Sequence, residues 1–319
     1  MASEGDDRAG GSRTAGERRW LADVRAAPGL NALRSLTDRD DIHDAYFAAK
    51  RRWRRLREAE LDDGVRPIRV DGAVPGRRVD VDGHAFHVHG VTHADTAAER
   101  AFLRAGVEEY LDRGATVYCE QGIREMYFGD VDGVCAMDDY RWAMARCREL
   151  GVEAHVGDEF DDIVEDLAGG ASQFREAAFE LVDRGAEVYG DRFRDALGTV
   201  ASQFLRSHED LATGRDFESF RLRGEAADHP ETDLERLQRY YERAFLPQAL
   251  EREWLCRHDR ELELVTHARN ERMADYAVFH NDTAPEVHLV VGAAHGPGVA
   301  EYLEAHADGR RSVDEFELA

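Results

Sequence analysis

Three side chains carry chemistry at places where a fold can bring them together: His93, Glu120 and His295. Val287-His288-Leu289-Val290-Val291 is a short apolar, β-branched run that stops at Gly292, with Ala293, Ala294 and His295 following. Ala85-Phe86-His87-Val88-His89 runs into Gly90-Val91-Thr92-His93 in the same frame, glycine three residues before histidine. Ala115-Thr116-Val117-Tyr118-Cys119 stops at Glu120. Such runs read as buried strands feeding turns, and strand carboxyl ends are where open α/β sheets bind ligands. Two neutral imidazoles and a carboxylate are part of a ligand set for a divalent metal such as zinc, manganese or cobalt. A metal with an open position lowers the pKa of bound water; Glu120 could instead deprotonate that water without touching metal. The plainer alternative is that both histidines only close the sheet end with hydrogen bonds. Gly90 and Gly292 let the backbone turn tightly and approach a ligand.

The surrounding elements must hold those three residues. Thr96 to Arg113 is predicted as an amphipathic helix closed by Gly114, so strand, helix, strand makes a parallel unit that turns Glu120 towards the crevice of His93. Short strands are expected at Pro67–Val70 and Arg78–Val81, and a third at Glu153–Val156 after a helix over Met137–Leu150. From Gly157 onward helical windows dominate, broken near Gly190, Gly214 and His229-Pro230, and a helix from about Glu261 to His280 leads into the central strand. His258 and His267 read as surface residues of that region. Gly296-Pro297-Gly298 opens a last helix, Val299 to His306, and Ser312 to Leu318 alternates like an edge strand. The expected fold is α/β: a central mixed, largely parallel sheet flanked by helices, with a helical insertion between the two Gly-x-x-His motifs.

The domain expectation is a disordered or weakly ordered segment over residues 1–35, an N-terminal helix over 36–64, and an α/β domain over 65–319 with its insertion at about 157–256. Thr37 reads as the cap of the N-terminal helix, with Asp38, Asp40 and Asp41 in its first turn. The cluster Lys50-Arg51-Arg52-Trp53-Arg54-Arg55 is most simply a packed helix whose arginines pair with neighbouring acids.

The chain has 66 acidic and 42 basic residues, a net charge of -24, and Lys50 is its single lysine. That field repels nucleic acid and anionic membranes. Acid-rich, lysine-poor composition has the style of a salt-loving microbe, where 1 M salt screens charge to about 3 Å. No run approaches the roughly 20 apolar residues of a membrane span, and the N-terminus lacks an apolar signal, so a cytoplasmic protein is expected. Cys119, Cys135, Cys147 and Cys256 form no C-x-x-C pair. A homodimer through the insertion is admitted but no heptad pattern compels it.

Read together, Gly90-Val91-Thr92-His93, Val117-Tyr118-Cys119-Glu120 with Arg124 four residues on, Arg269-Asn270-Glu271-Arg272-Met273-Ala274, and Val290-Val291-Gly292-Ala293-Ala294-His295-Gly296-Pro297-Gly298 occur in one order. This order resembles the TraB/PrgY, GumN and Tiki superfamily, to which erythromycin esterase and ChaN-like proteins are more distantly related. The resemblance spans about Arg78 to Ala319 and implies a metal-dependent, peptidase-like hydrolase using manganese, cobalt or zinc. It implies His93, Glu120 and His295 as the metal-binding and catalytic core, with Arg269 or Arg124 steadying an anionic substrate or oxyanion and Asn270 contacting substrate. Ala268 stands where these families often carry an acid, and their membrane segments are missing here. The erythromycin esterase kinship implies an alternative, a metal-independent, esterase-like hydrolase with a histidine general base, and a third reading is a protein that binds a peptide or small ligand without turnover.

Overall fold

The computed structural model describes residues 14–62, 74–94, 96–120, 134–137, 148–149, 151, 175–186, 189–205, 210, 213–281 and 283–314. The chain divides into two compact units, Met1–Arg66 and Pro67–Ala319.

The first unit contains α1 (Ala15–Arg25), α2 (Leu30–Thr37) and α3 (Ile42–Asp62). Helix starts at Ala15, where Thr14 and Glu17 form a reciprocal capping box on α1. Thr37 is not the cap of the long helix. It ends α2, where its hydroxyl donates to the Leu33 carbonyl, and the Asp41 carboxylate instead receives the Asp44 N–H. Tyr46, Ala49, Trp53 and Leu56 follow helical spacing and form the buried stripe of α3. The basic cluster serves packing: Arg52 lies over the Trp20 ring at 4.4 Å and Arg25 over Trp53 at 5.4 Å.

The second unit is built on β1 (Arg77–Val81), β2 (His84–Val91), β3 (Thr116–Glu120), β4 (Val134–Met137) and β5 (Glu286–Gly292). They form one sheet in the order β1-β2-β5-β3-β4. Asp82 and Gly83 turn β1 antiparallel onto β2, with φ of 50° and 87°, as a two-residue hairpin turn of this hand requires. The other pairings are parallel. The chain passes from β2 through α4 (Ala97–Asp112) to β3, leaving a slot that β5 fills from far downstream. β4 was not expected; it ends at Met137, the residue from which a helix is predicted. The predicted strands at Pro67–Val70 and Glu153–Val156 lie outside the described residues.

Two apolar layers cover the sheet. Val290 faces a cluster containing Leu103, Val107, Leu234, Leu237 and Tyr240. Val287, Leu289 and Val291 face the other way, against Met273, Ala277, Val299 and Leu303. This alternation makes β5 buried on both faces, which explains its continuous apolar sequence. A polar core lies beside the first layer, where the His288 and Tyr110 rings stack at 3.7 Å and His89 Nε2 meets His288 Nδ1 at 2.8 Å. Burial pulls the pKa of His288 down to about 2 and that of His89 to about 4.

The insertion holds a helical stretch at 175–186, then α5 (Asp191–Leu205), α6 (Phe217–Asp228), α7 (Pro230–Ala244), α8 (Gln248–His258) and α9 (Arg260–Val265). The predicted helix from Glu261 to His280 is broken at Thr266, so α10 (His267–His280) starts afresh beside the sheet. α11 (Gly296–Ala307) follows β5. Ser312 to Asp314 is not a strand, and the rest of that predicted edge lies outside the described residues. No helix among the described residues is long and apolar enough to cross a membrane.

Candidate active site

β2, β5 and β3 are adjacent, with Val91 opposite Gly292 and Cys119 opposite Val290. The parallel register therefore delivers His93, His295 and Glu120 to one sheet end. His93 holds a left-handed backbone, φ 61°, which is uncommon for a residue other than glycine. Buried Glu99, in the first turn of α4, fixes that conformation. Its carboxylate accepts the Thr92 N–H and Thr92 hydroxyl, each at 2.7 Å, and the Ala94 N–H at 3.2 Å.

Each glycine of the two motifs has a steric reason. A Cβ on Gly90 would lie 2.8 Å from Ala293 Cα, and one on Gly292 would lie 2.5 Å from His93 Nε2. The backbone of one motif thus packs against the residues of the other. Ala293 N–H donates to the Val91 carbonyl at 2.8 Å, and His295 N–H donates to the Gly292 carbonyl at 2.8 Å.

Glu120 is 7% exposed and both its oxygens are engaged. Oε1 accepts from Arg269 Nη2 at 2.8 Å, and Oε2 accepts the Gly292 N–H at 2.9 Å. Oε2 also faces His93 Nε2 at 3.6 Å, and Oε1 faces His295 Nε2 at 3.8 Å. Burial alone would raise the Glu120 pKa; the two imidazoles and the guanidinium together hold it well below the usual carboxylate value.

His295 is set from its other side. Asn270 Nδ2 donates to Gln248 Oε1 at 2.9 Å, which leaves Asn270 Oδ1 to accept from His295 Nδ1 at 2.7 Å. This chain assigns the proton to Nδ1 and leaves a lone pair on Nε2. Burial lowers the His295 pKa to about 4, against the opposing pull of Glu120, so the ring is neutral at ordinary pH. Gly298 makes room for this support, since a Cβ there would lie 2.2 Å from Asn270 Nδ2.

A cavity of about 260 Å³ opens against these groups. Its lining includes His93, His295, Asn270 and Gly292, which were expected, and Tyr241, His267, Arg215 and Arg223, which were not. His267, read from sequence as a surface residue, is 3% exposed with Nδ1 at 3.1 Å from Gln248 Oε1. The break at Thr266 puts it there, and Val265-Thr266 is the sole local sign in the sequence. His258 instead lies exposed on the Trp254 ring at 3.8 Å. Arg269, expected to steady an anion, has its Nη2 committed to Glu120. Arg124 lies outside the described residues.

The same contacts bear on metal binding. A metal at Glu120 would share its carboxylate with the Arg269 guanidinium, 2.8 Å from Oε1, and with the Gly292 N–H on Oε2. Among the described residues, the group of three His, Asp or Glu whose ligand atoms lie within 4.8 Å of one another is Asp41, His43 and Asp44, exposed at the start of α3. His93, Glu120 and His295 do not close to that degree. The donor types suit a metal, but their arrangement fits one poorly. No family model, curated protein or solved structure matches the chain.

Proposed function

We propose that the chain is a hydrolase that activates water with His93, supported by Glu120 and His295, without a bound metal. The observation that carries this reading is the double engagement of Glu120 by Arg269 and Gly292 N–H. Those bonds hold the carboxylate in place facing His93 Nε2 at 3.6 Å, where it can orient the imidazole as the acid of a catalytic triad does. The lone pair on His295 Nε2, left there by the Nδ1 bond to Asn270, can accept from a water. In this reading a water donates one hydrogen to His295 Nε2, which orients it. His93 takes the other proton on Nδ1 as the water oxygen bonds to a substrate carbonyl carbon. Nε2 of the resulting imidazolium faces Glu120 at 3.6 Å, and the proton passes to the leaving oxygen or nitrogen as the carbonyl bond to it breaks.

This corresponds to the esterase-like side of the resemblance to the TraB/PrgY, GumN and Tiki group, which we retain as a proposal, as we do a cytoplasmic setting. The competing reading, a metal-dependent peptidase with manganese, cobalt or zinc on His93, His295 and Glu120, is favoured by two imidazole nitrogens at 3.6 and 3.8 Å from one carboxylate. Elemental analysis of protein purified without an affinity-tag metal separates the two. Our reading expects no stoichiometric metal in the wild type. One equivalent that disappears in a His93→Ala, His295→Ala variant would replace it with the metal-dependent one.

A further inference from the structure

The helices that roof the cavity carry arginines of two kinds. Arg221, Arg236, Arg239 and Arg243 each pair with an acid on the same or a neighbouring helix. Arg215 and Arg223 line the cavity, and neither makes a side-chain ion pair or hydrogen bond among the described residues. Exposed arginines such as Arg34 and Arg260 also lack such a pair among the described residues, so what sets Arg215 and Arg223 apart is their shared place at one cavity. The neighbouring buried Asp216 carboxylate caps α6 by accepting the Ser219 N–H at 2.9 Å. Both guanidiniums also act on the buried Tyr241 phenol, which lines the same cavity: burial raises its pKa, and Arg223 and Arg215 each offset part of that rise. The Asp216 carboxylate acts on the same phenol in the opposite sense. Thr213 and Thr266 add polar groups to the lining.

Size narrows the ligand further. At about 260 Å³ the space falls below the roughly 300–1,000 Å³ typical of sites for drug-sized ligands. It holds an anionic group and the carbonyl beside it, and it is open to solvent on one side.

We propose that Arg215 and Arg223, with the Tyr241 hydroxyl, form an anion subsite that selects a small substrate bearing a carboxylate or phosphate close to its scissile carbonyl. This rests on the hydrolase reading for the word substrate, but the subsite itself is a binding claim. Its residues come from α6, the turn before α6, and α7, whereas the water-activating groups come from strand ends. Sequence and chemistry therefore separate the two functions: the insertion chooses the anion and the sheet cleaves.

The test is calorimetric titration of the full chain, in a constant chloride background, with inorganic phosphate, N-acetylglycine and its neutral counterpart N-acetylglycinamide. Proteins compared are wild type, Arg215→Gln with Arg223→Gln, Arg215→Lys with Arg223→Lys, and His93→Gln. Both arginines are exposed, so the variants should fold, and circular dichroism checks this. One or both anions should bind the wild type and the amide should not. The double glutamine variant should bind roughly 10-fold to 100-fold more weakly, the loss of one charge-assisted contact or more, and the lysine variant should recover part of it. The stronger of phosphate and carboxylate identifies the substrate's anion. Wild-type affinity in the double glutamine variant, equal binding of the amide, or no anion binding to wild type would each overturn the subsite. His93→Gln, at the same cavity, should lose less anion affinity than the double glutamine variant. If that variant also keeps full turnover, the hydrolytic assignment fails while the subsite stands.

Discussion

Gly292→Ala should separate catalysis from stability. The new Cβ would lie 2.5 Å from His93 Nε2, whereas unstrained contact begins at about 3.5 Å. The imidazole must therefore retreat by about 1 Å. Its side chain is 35% exposed, so it has room to move, and Gly292 does not need a positive φ. A misplacement of about 1 Å in a catalytic group can cost about 100-fold in rate, or about 2.7 kcal/mol of barrier. Gly292 is buried, yet the clash falls on a ring that can move, so stability should fall by about 1 kcal/mol, the low end for overpacking. Gly298→Ala is the counterpart. There the Cβ meets Asn270 Nδ2 at 2.2 Å and Gln248 Cδ at 2.8 Å, and both residues are at most 2% exposed. They cannot step aside, so that variant should lose about 1–3 kcal/mol. The assays are kcat/KM on an activated ester and the urea unfolding midpoint. A Gly292→Ala protein with wild-type kcat/KM would refute the reasoning, as would one destabilised as much as Gly298→Ala.

Two further predictions concern the buried charges. Glu120→Gln removes the carboxylate from a guanidinium that is 5% exposed, so urea unfolding should show a loss of about 3 kcal/mol; a change below about 1 kcal/mol would mean water already compensates Arg269. The histidine stack should make the fold acid-labile. Folded-state values of about 4 for His89 and about 2 for His288 lie below the unfolded value of 6.5, so their neutral forms contribute stability that is complete above that value. It is lost as pH falls from about 6.5, at about 2 kcal/mol per ring by pH 5. A His288→Leu variant should show a flatter midpoint against pH over that window, and an unchanged slope would assign the acid sensitivity elsewhere.

The strand ends were legible because their signals are local: an apolar run, a glycine stop and a polar residue just beyond. The α/β class and the position of β5 at the sheet centre follow from the same runs. Why the glycines stand three residues before the histidines was not legible, since Gly292 is dictated by His93, far away in sequence. The role of Arg269 was misread for a related reason: a helix motif shows an arginine but not that Glu120 sits 2.8 Å from it. His267, Tyr241, Arg215 and Arg223 gave no periodic signal that separates a cavity wall from a solvated helix face. β4 was missed because its four residues are too short for a period to register, and the break before α10 because neither glycine nor proline marks it.

Where the hydrolytic proton goes decides the proposed function. The most direct measurement is the initial rate of hydrolysis of an activated ester carrying a carboxylate, by wild type and His93→Gln, after exhaustive chelation in high salt. We expect turnover to persist in the chelated wild type and to fall about 100-fold or more in the variant, the scale of general base catalysis. Equal rates in the two proteins, or a wild-type rate that vanishes on chelation and returns with added metal, would contradict it.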